Sequence, residues 1–288
     1  MMEDSKPLVS VIMPCYNDGC YLEETVESLR QQTYKHIELI IIDDGSDDAK
    51  TLQVLERIDF PALRVIHARH GYPAAARNLG VAQARGKYLL PLDADDKIAP
   101  DYIQKAMDVL EREPEVGVVY SRADFFGDVE DSWELPDFDV HHMLIDNIVF
   151  VSSLMRRSVF DSVGGFDESM VHGIEDYDFF LSVIEKGWKF HRLPEVMFHY
   201  RVKSGSRSMQ FASSQAIYRS TYRMLYTKHR ELYHEHMDEL FPLLREKYLS
   251  ARQYKIAQAE NIMLHDLLYG KGLKGLIRLL YYRYRRRK

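Results

Sequence analysis

The chain has 288 residues, enough for one large α/β domain with a helical appendage, and its 46% hydrophobic and 28% charged residues with 15 Gly and 10 Pro exclude disordered, collagenous and low-complexity classes. Two cysteines, Cys15 and Cys20, cannot make a secreted disulfide framework; no signal-peptide pattern opens the chain and no run nears the roughly 18 apolar residues of a membrane span, so it reads as intracellular. The formal charge of −6 is uneven: Lys271, Lys274, Arg278, Arg283, Arg285, Arg286, Arg287 and Lys288 crowd residues 271–288 without one acid, leaving an acidic body ill suited to nucleic acid and a basic end suited to a local anionic contact.

In chain order, VSVIM (9–13), IELIII (37–42), LRVIH (63–67), KYLLPLD (87–93) and VGVVY (116–120) are short Val/Ile/Leu runs that predict buried strands. Between them Leu22, Val26 and Leu29, then Leu52, Leu55 and Ile58, then Ile103, Met107 and Leu110 mark amphipathic helices, and another is predicted over 73–84. This alternation predicts a mostly parallel, doubly wound sheet flanked by helices, with ligands beyond the carboxyl ends of the strands. Residues 121–150 loosen into an acidic, aromatic stretch; FVSSLM and EVMFHYR read as further strands around a helix at 176–186; after Ser204 the signals turn helical. The expected division is a sheet domain over 1–210 and a helical region over 211–288.

Several residues at predicted strand ends can carry chemistry. Pro14-Cys15-Tyr16-Asn17 follows the first strand and offers an aromatic ring for a nucleobase, though Tyr16 reads equally as a packing ring and Cys15 as a core residue. Asp43-Asp44-Gly45-Ser46 ends the second strand; Asp44 suits a base N–H or ribose hydroxyl, and an Asx-turn leading into a capped helix explains the same residues. Arg77 on the helix 73–84 suits a phosphate or a solvated surface. Asp93 and Asp95, at i and i+2 of an extended chain, point the same way and suit a hard divalent cation; a turn with Asp96 or Asp101 capping the next helix is the alternative. Glu175 and Asp176 open a helix, where capping alone accounts for acids and the helix dipole is expected to lower a carboxyl pKa. His199 closes EVMFHYR as a lone histidine.

Taken together, VSVIMPCYN, IIIDDGS, RNLG, LPLDADD, GGFDE, EDYDFF and HYR come in an order and spacing similar to family 2 glycosyltransferases of the GT-A fold over about residues 7–205. The resemblance implies a nucleotide-diphosphate sugar donor, a UDP-sugar, and inversion at the anomeric carbon. It implies that Pro14, Tyr16 and Asp44 hold base and ribose, with Asp44 on the uracil edge, and that Arg77 lies near the nucleotide. Asp93 would support the ribose or metal shell, Asp95 would bind Mn²⁺ or Mg²⁺, and His199 would approach the diphosphate. Asp176 would be the catalytic base with Glu175 beside it. Asn147 and FVSSLM would border the sugar or the acceptor, a glycan or lipid-linked glycan. Leu273, Leu276, Ile277, Leu280 and Tyr284 share one helical face opposite the basic residues, a pattern for peripheral binding to an anionic membrane surface or for packing on the body. A non-catalytic sugar-nucleotide or glycan-binding protein is the competing class. A dehydrogenase or nucleotidyltransferase is disfavoured by the absence of a strand-linked G-x-G-x-x-G.

Overall fold

The computed structural model describes residues 6–207, 211 and 213–269, with side chains to 258. The expected alternation is present in order: β1 (Val9–Cys15), α1 (Gly19–Arg30), β2 (Ile37–Asp43), α2 (Ala49–Arg57), β3 (Leu63–His67), α3 (Tyr72–Gln83) and β4 (Tyr88–Pro91). β1, β2 and β4 are buried almost throughout because helices cover both faces of a parallel sheet. Glu38, the acid inside IELIII, is tolerated because Ser10 Oγ donates to it at 2.6 Å and Arg64 and Arg85 pair with it at 2.9 and 3.0 Å.

The second half comprises β5 (Lys97–Ile98), α4 (Tyr102–Arg112), β6 (Val116–Gly127), β7 (Asp131–Trp133), α5 (Val140–Met143), β8 (Leu154–Arg156), α6 (Arg157–Val163), α7 (Glu175–Glu185) and β9 (Lys189–Val202). Helices α8 (Gln215–Lys228), α9 (Arg230–Glu235) and α10 (Met237–Tyr269) follow. The sheet order is β3-β2-β1-β4-β8-β6-β9-β5, with β7 on β6. Parallel pairing holds among β1–β4 and between β6 and β9, while β8, β5 and β7 join antiparallel, so the sheet is mixed in its second half.

Two stretches differ from their sequence reading. SRADFFG, expected to be irregular, continues β6 as far as Gly127, and KFHRLP begins β9 well before EVMFHYR. The register passes from Ser121↔Leu193 to Arg122↔Val196, so Pro194 and Glu195 bulge out of the ladder. A proline cannot donate in a central strand and is accommodated at such a bulge.

The chain divides into two compact units, one through His234 and one from Glu235 onward. In the first, His229 caps α8 and lies buried against α7, its Nε2 3.0 Å from Asp178 and its Nδ1 2.9 Å from Glu185. Burial opposes the charge, but the two carboxylates win and raise the His229 pKa. The stability that charged His229 contributes is therefore full below its unfolded value near 6.5 and lost as pH rises through the raised one. Melting temperature followed from pH 6 to 9 is expected to fall more steeply in the wild type than in His229→Gln. Equal slopes would remove this role. In the second unit Phe241, Tyr248 and Tyr254 of α10 are exposed.

Candidate active site

The rim expected to take the nucleotide begins where β1 ends. Tyr16 is 44% exposed, and the Asp44 N–H donates to the Cys15 carbonyl at 2.8 Å, tying the first two strand ends together. Asp43 and Asp44 divide the work that the sequence left open. Asp43 accepts from Ser46 N at 2.9 Å and so forms the turn, while Asp48 caps α2 by accepting from Thr51 N at 2.8 Å. Asp44 is left for the rim: its Oδ1 accepts from Gly71 N at 2.7 Å and its Oδ2 lies 3.0 Å from His70 Nδ1. The His70 ring packs against Tyr16 and Tyr72, centroids 4.3 and 4.7 Å apart. Gly45, at φ +75°, is required here because a Cβ would stand 2.8 Å from His70 N. His70 was not singled out by motif. Its signal is position, just beyond β3 and before a glycine that opens a helix.

The acidic turn departs from the extended geometry predicted for Asp93 and Asp95. β4 ends at Pro91, the two acids lie in the turn that follows, and their carboxylates part. Asp93 Oδ1 meets Arg77 at 2.6 Å; Asp95 Oδ2 meets Lys203 Nζ at 2.8 Å, and the same ammonium binds Asp18. Asp96 is not a cap either: it is buried and accepts from Arg201 N at 2.8 Å, while Arg201 Nε donates to the Asp95 carbonyl at 2.8 Å. Asp101 holds the N-cap position of α4 without a side-chain capping bond. Burial pushes the Asp95 carboxyl up against the pull of Lys203, and burial with Asp95 and Asp93 nearby pushes Asp96 up further.

His199 lies in β9 opposite Lys97, and its Nδ1 is 2.6 Å from Asp124 Oδ1. With the proton on Nδ1, the Nε2 lone pair is left as a donor to a metal. Asp93, Asp95 and His199 thus have three separate partners, Arg77, Lys203 and Asp124. Among the described residues no group of three or more His, Cys, Asp or Glu side chains is arranged to hold a metal ion.

The third element is the start of α7. Ile174, a β-branched residue, sits at the N-cap position in the left-handed region (φ +60°) with no side-chain capping bond, a conformation that costs on the order of 1–3 kcal/mol. Capping does not account for Glu175. It is 5% exposed and accepts from Arg77 Nη1 at 2.7 Å and Arg207 Nη1 at 3.1 Å. Arg77, 3% exposed, bridges Glu175 and Asp93 beneath the Phe166 ring, so its guanidinium is already committed to two carboxylates. Arg207 was outside the motifs read from the sequence; it closes the pair from the segment after β9.

Asp176 faces the other way. Its Oδ1 accepts from Tyr177 N at 2.9 Å and its Oδ2 from Asn147 Nδ2 at 3.0 Å, which brings Asn147 beside Asp176. The lowered pKa expected from the helix terminus is overturned: burial, then the Glu175 charge, push the Asp176 carboxyl up to about 6, outweighing Arg77 and the Tyr177 N–H. Glu175 is instead held low: burial opposes, but Arg77 and Arg207 keep it ionised. Adjacent acids thus shift in opposite directions because both arginines bind Glu175 directly, whereas Asp176 feels Arg77 without being bound to it.

Residues 10–165 match the profile of Glycosyl transferase family 2. "Putative teichuronic acid biosynthesis glycosyltransferase TuaG" of Bacillus subtilis (strain 168) is 30% identical over 218 residues, covering 72% of this chain and 84% of the relative. "Uncharacterized protein y4gI" of Sinorhizobium fredii (strain NBRC 101917 / NGR234) is 33% identical over 214 residues, 69% of this chain, which spans only 23% of that protein's length. The crystal structure of S. aureus TarS 1-349 in complex with UDP-GlcNAc superposes with a TM-score of 0.62 at 19% identity, over 76% of this chain and 66% of that one, and so shares the GT-A-type fold. With its profile match extending over more than half its length, the chain belongs to glycosyl transferase family 2.

Proposed function

We propose that the protein is a metal-dependent inverting glycosyltransferase that moves a hexose-type sugar from a UDP-sugar to a hydroxyl of a glycan or lipid-linked glycan. The observation that carries this reading is Asp176, a carboxyl raised to about 6 at the mouth of α7, beside a Glu175 locked to two arginines. A base with a pKa near the operating pH is mostly ionised yet accepts a proton readily. One such base suffices for a single displacement: the acceptor hydroxyl attacks the anomeric carbon opposite the diphosphate and passes its proton to an Asp176 oxygen.

Tyr16 would stack on uracil and Asp44 would accept from its N–H, with Pro14 shaping the slot at the end of β1. Asp93 would lie near the ribose. Asp95 offers the carboxylate oxygens that suit a hard divalent cation and would hold it with His199 Nε2, phosphate oxygens and water, and an ammonium, Lys203 Nζ, already lies in contact with the Asp95 carboxylate. Bound Mn²⁺ or Mg²⁺ would neutralise charge developing on the departing diphosphate. The basic segment 271–288 lies outside the described residues; as a peripheral attachment to the cytoplasmic face of an anionic membrane it is checked by salt-sensitive pelleting with anionic vesicles. Among the described residues no helix is long and apolar enough to cross a membrane.

The direct test is UDP-sugar hydrolysis and UDP binding by calorimetry. Tyr16→Ala is expected to weaken UDP by about 1–3 kcal/mol, the usual worth of a base–aromatic stack. Unchanged affinity would move the base away from the rim. UDP-sugar binding without turnover would favour the non-catalytic reading.

A further inference from the structure

Asp18 stands at the N-cap of α1, where an aspartate ordinarily accepts from the first helical N–H groups, yet its side chain makes no capping bond. It instead shares the Lys203 ammonium with Asp95, which is 2.8 Å from Nζ. Asp93 lies in the same turn, and the Tyr21 ring lies 5.0 Å from Nζ. Lys203 directly follows the last residue of β9, and Gly205 at φ +76° turns the chain just beyond it. Arg201 has other duties: it holds the Asp95 carbonyl, pairs with Glu24 and lies over Phe126 and Tyr21 at 4.2 and 4.5 Å.

From this geometry, and resting on the metal-dependent reading above, we propose that Lys203 occupies the cation seat between Asp18 and Asp95 and makes divalent-metal binding conditional on the nucleoside diphosphate. A divalent ion sits about 2.0–2.6 Å from its oxygen ligands. It cannot share Asp95 with an ammonium in hydrogen-bond contact without repulsion between the two cations. Metal alone must therefore draw Asp95 away from Lys203 and leave the part-buried ammonium with Asp18 as its remaining carboxylate contact. A diphosphate removes both penalties, since its oxygens complete the metal shell and give the displaced ammonium a new anion. Metal and nucleotide then strengthen each other by the same factor, as linkage requires.

The test is calorimetric titration of the full chain with MnCl₂, alone and with saturating UDP. Wild type is expected to bind Mn²⁺ weakly alone and more tightly with UDP. In Lys203→Met the affinity for Mn²⁺ alone should tighten by about tenfold or more, because the competent state is no longer a minor fraction, and the strengthening by UDP should shrink. Lys203→Gln, which keeps a hydrogen bond to the carboxylates without a charge, should behave the same way and covers the case in which Met misfolds. If neither variant binds Mn²⁺ alone more tightly than wild type while UDP still strengthens the metal in all three, the conditional role is wrong and the metal reading stands. If no form binds Mn²⁺ even with UDP, both fall.

Discussion

Asp176→Asn is expected to reduce sugar transfer by at least about a hundredfold, the range for losing a general base, while UDP-sugar affinity stays close to wild type. The substituted amide keeps an oxygen for Tyr177 N, and Asn147 can turn its own amide to keep its contact, so the helix start is preserved. Wild-type kcat/KM should climb with pH along a limb centred near 6, where Asp176 loses its proton, and the limb should vanish in the variant. Stability provides a second readout with its own sign. The folded-state pKa lies above the unfolded one, so ionising Asp176 costs stability progressively as pH rises from near 3.8 through about 6. Asn removes that cost, and the variant should melt no lower than wild type at pH 7, with the advantage shrinking toward pH 4. Glu175→Gln makes the contrast, because it disrupts the paired arginines and is expected to melt lower. Full transfer by Asp176→Asn would place the base elsewhere.

The largest loss of stability is expected at Arg77. Replacing it with Met leaves buried Glu175 with Arg207 alone and takes the shared cation from Asp93, and breaking a buried pair from one side typically costs about 3–5 kcal/mol. In a domain of this size that corresponds to a melting temperature lower by roughly 6–20 °C. Arg77→Lys keeps the charge but cannot fork between two carboxylates, so it should fall between Met and wild type. Adding Glu175→Gln to Arg77→Met should recover part of the loss, the coupling expected of residues in contact. Any Arg77→Met that retains turnover should shift the base limb above 6, since Arg77 is among the groups holding the Asp176 pKa down. A melting temperature within a degree or two of wild type would mean that the pair contributes nothing.

Much of the fold was legible because parallel strands buried on both faces must be nearly continuous apolar runs, and β1, β2, β4 and the start of β6 are such runs. The far half of β6 and the first half of β9 were harder to read. Arg122 and Asp124 interrupt the apolar run in β6, and in β9 Lys189, His191 and Arg192 do the same before Pro194 breaks the strand pattern at a bulge. β5 and β7 have only two and three residues, too few for any period to register. In the site, the motifs pointed to Asp44, Glu175 and Asp176 because each sits at a recognisable strand or helix end, and to Arg77 through the RNLG run inside α3. Lys203, Arg207, Asp18 and His70 went unnoticed because their meaning lies in partners distant along the chain: Lys203 meets Asp18 across 185 residues. The pKa of Asp176 was misjudged for the same reason. The helix terminus is local and readable, whereas burial and the withdrawal of both arginines to Glu175 are tertiary.

The sheet order also dictates when each half of the cleft can exist during synthesis. Strands β1 to β4, with the rim of Tyr16, Asp44 and His70, are complete once residue 91 has emerged, and their parallel pairings are all internal to that segment. The acidic turn is different: Asp96 closes onto the Arg201 N–H 105 residues later, and β5 pairs only with β9. Because long loops must close before such contacts stabilise anything, this closure is expected to be a slow step. A nascent chain is thus expected to be able to form the edge proposed to hold the base well before it can perform any transfer. Acquisition of turnover would then coincide with the docking of β9, and not with first nucleotide binding.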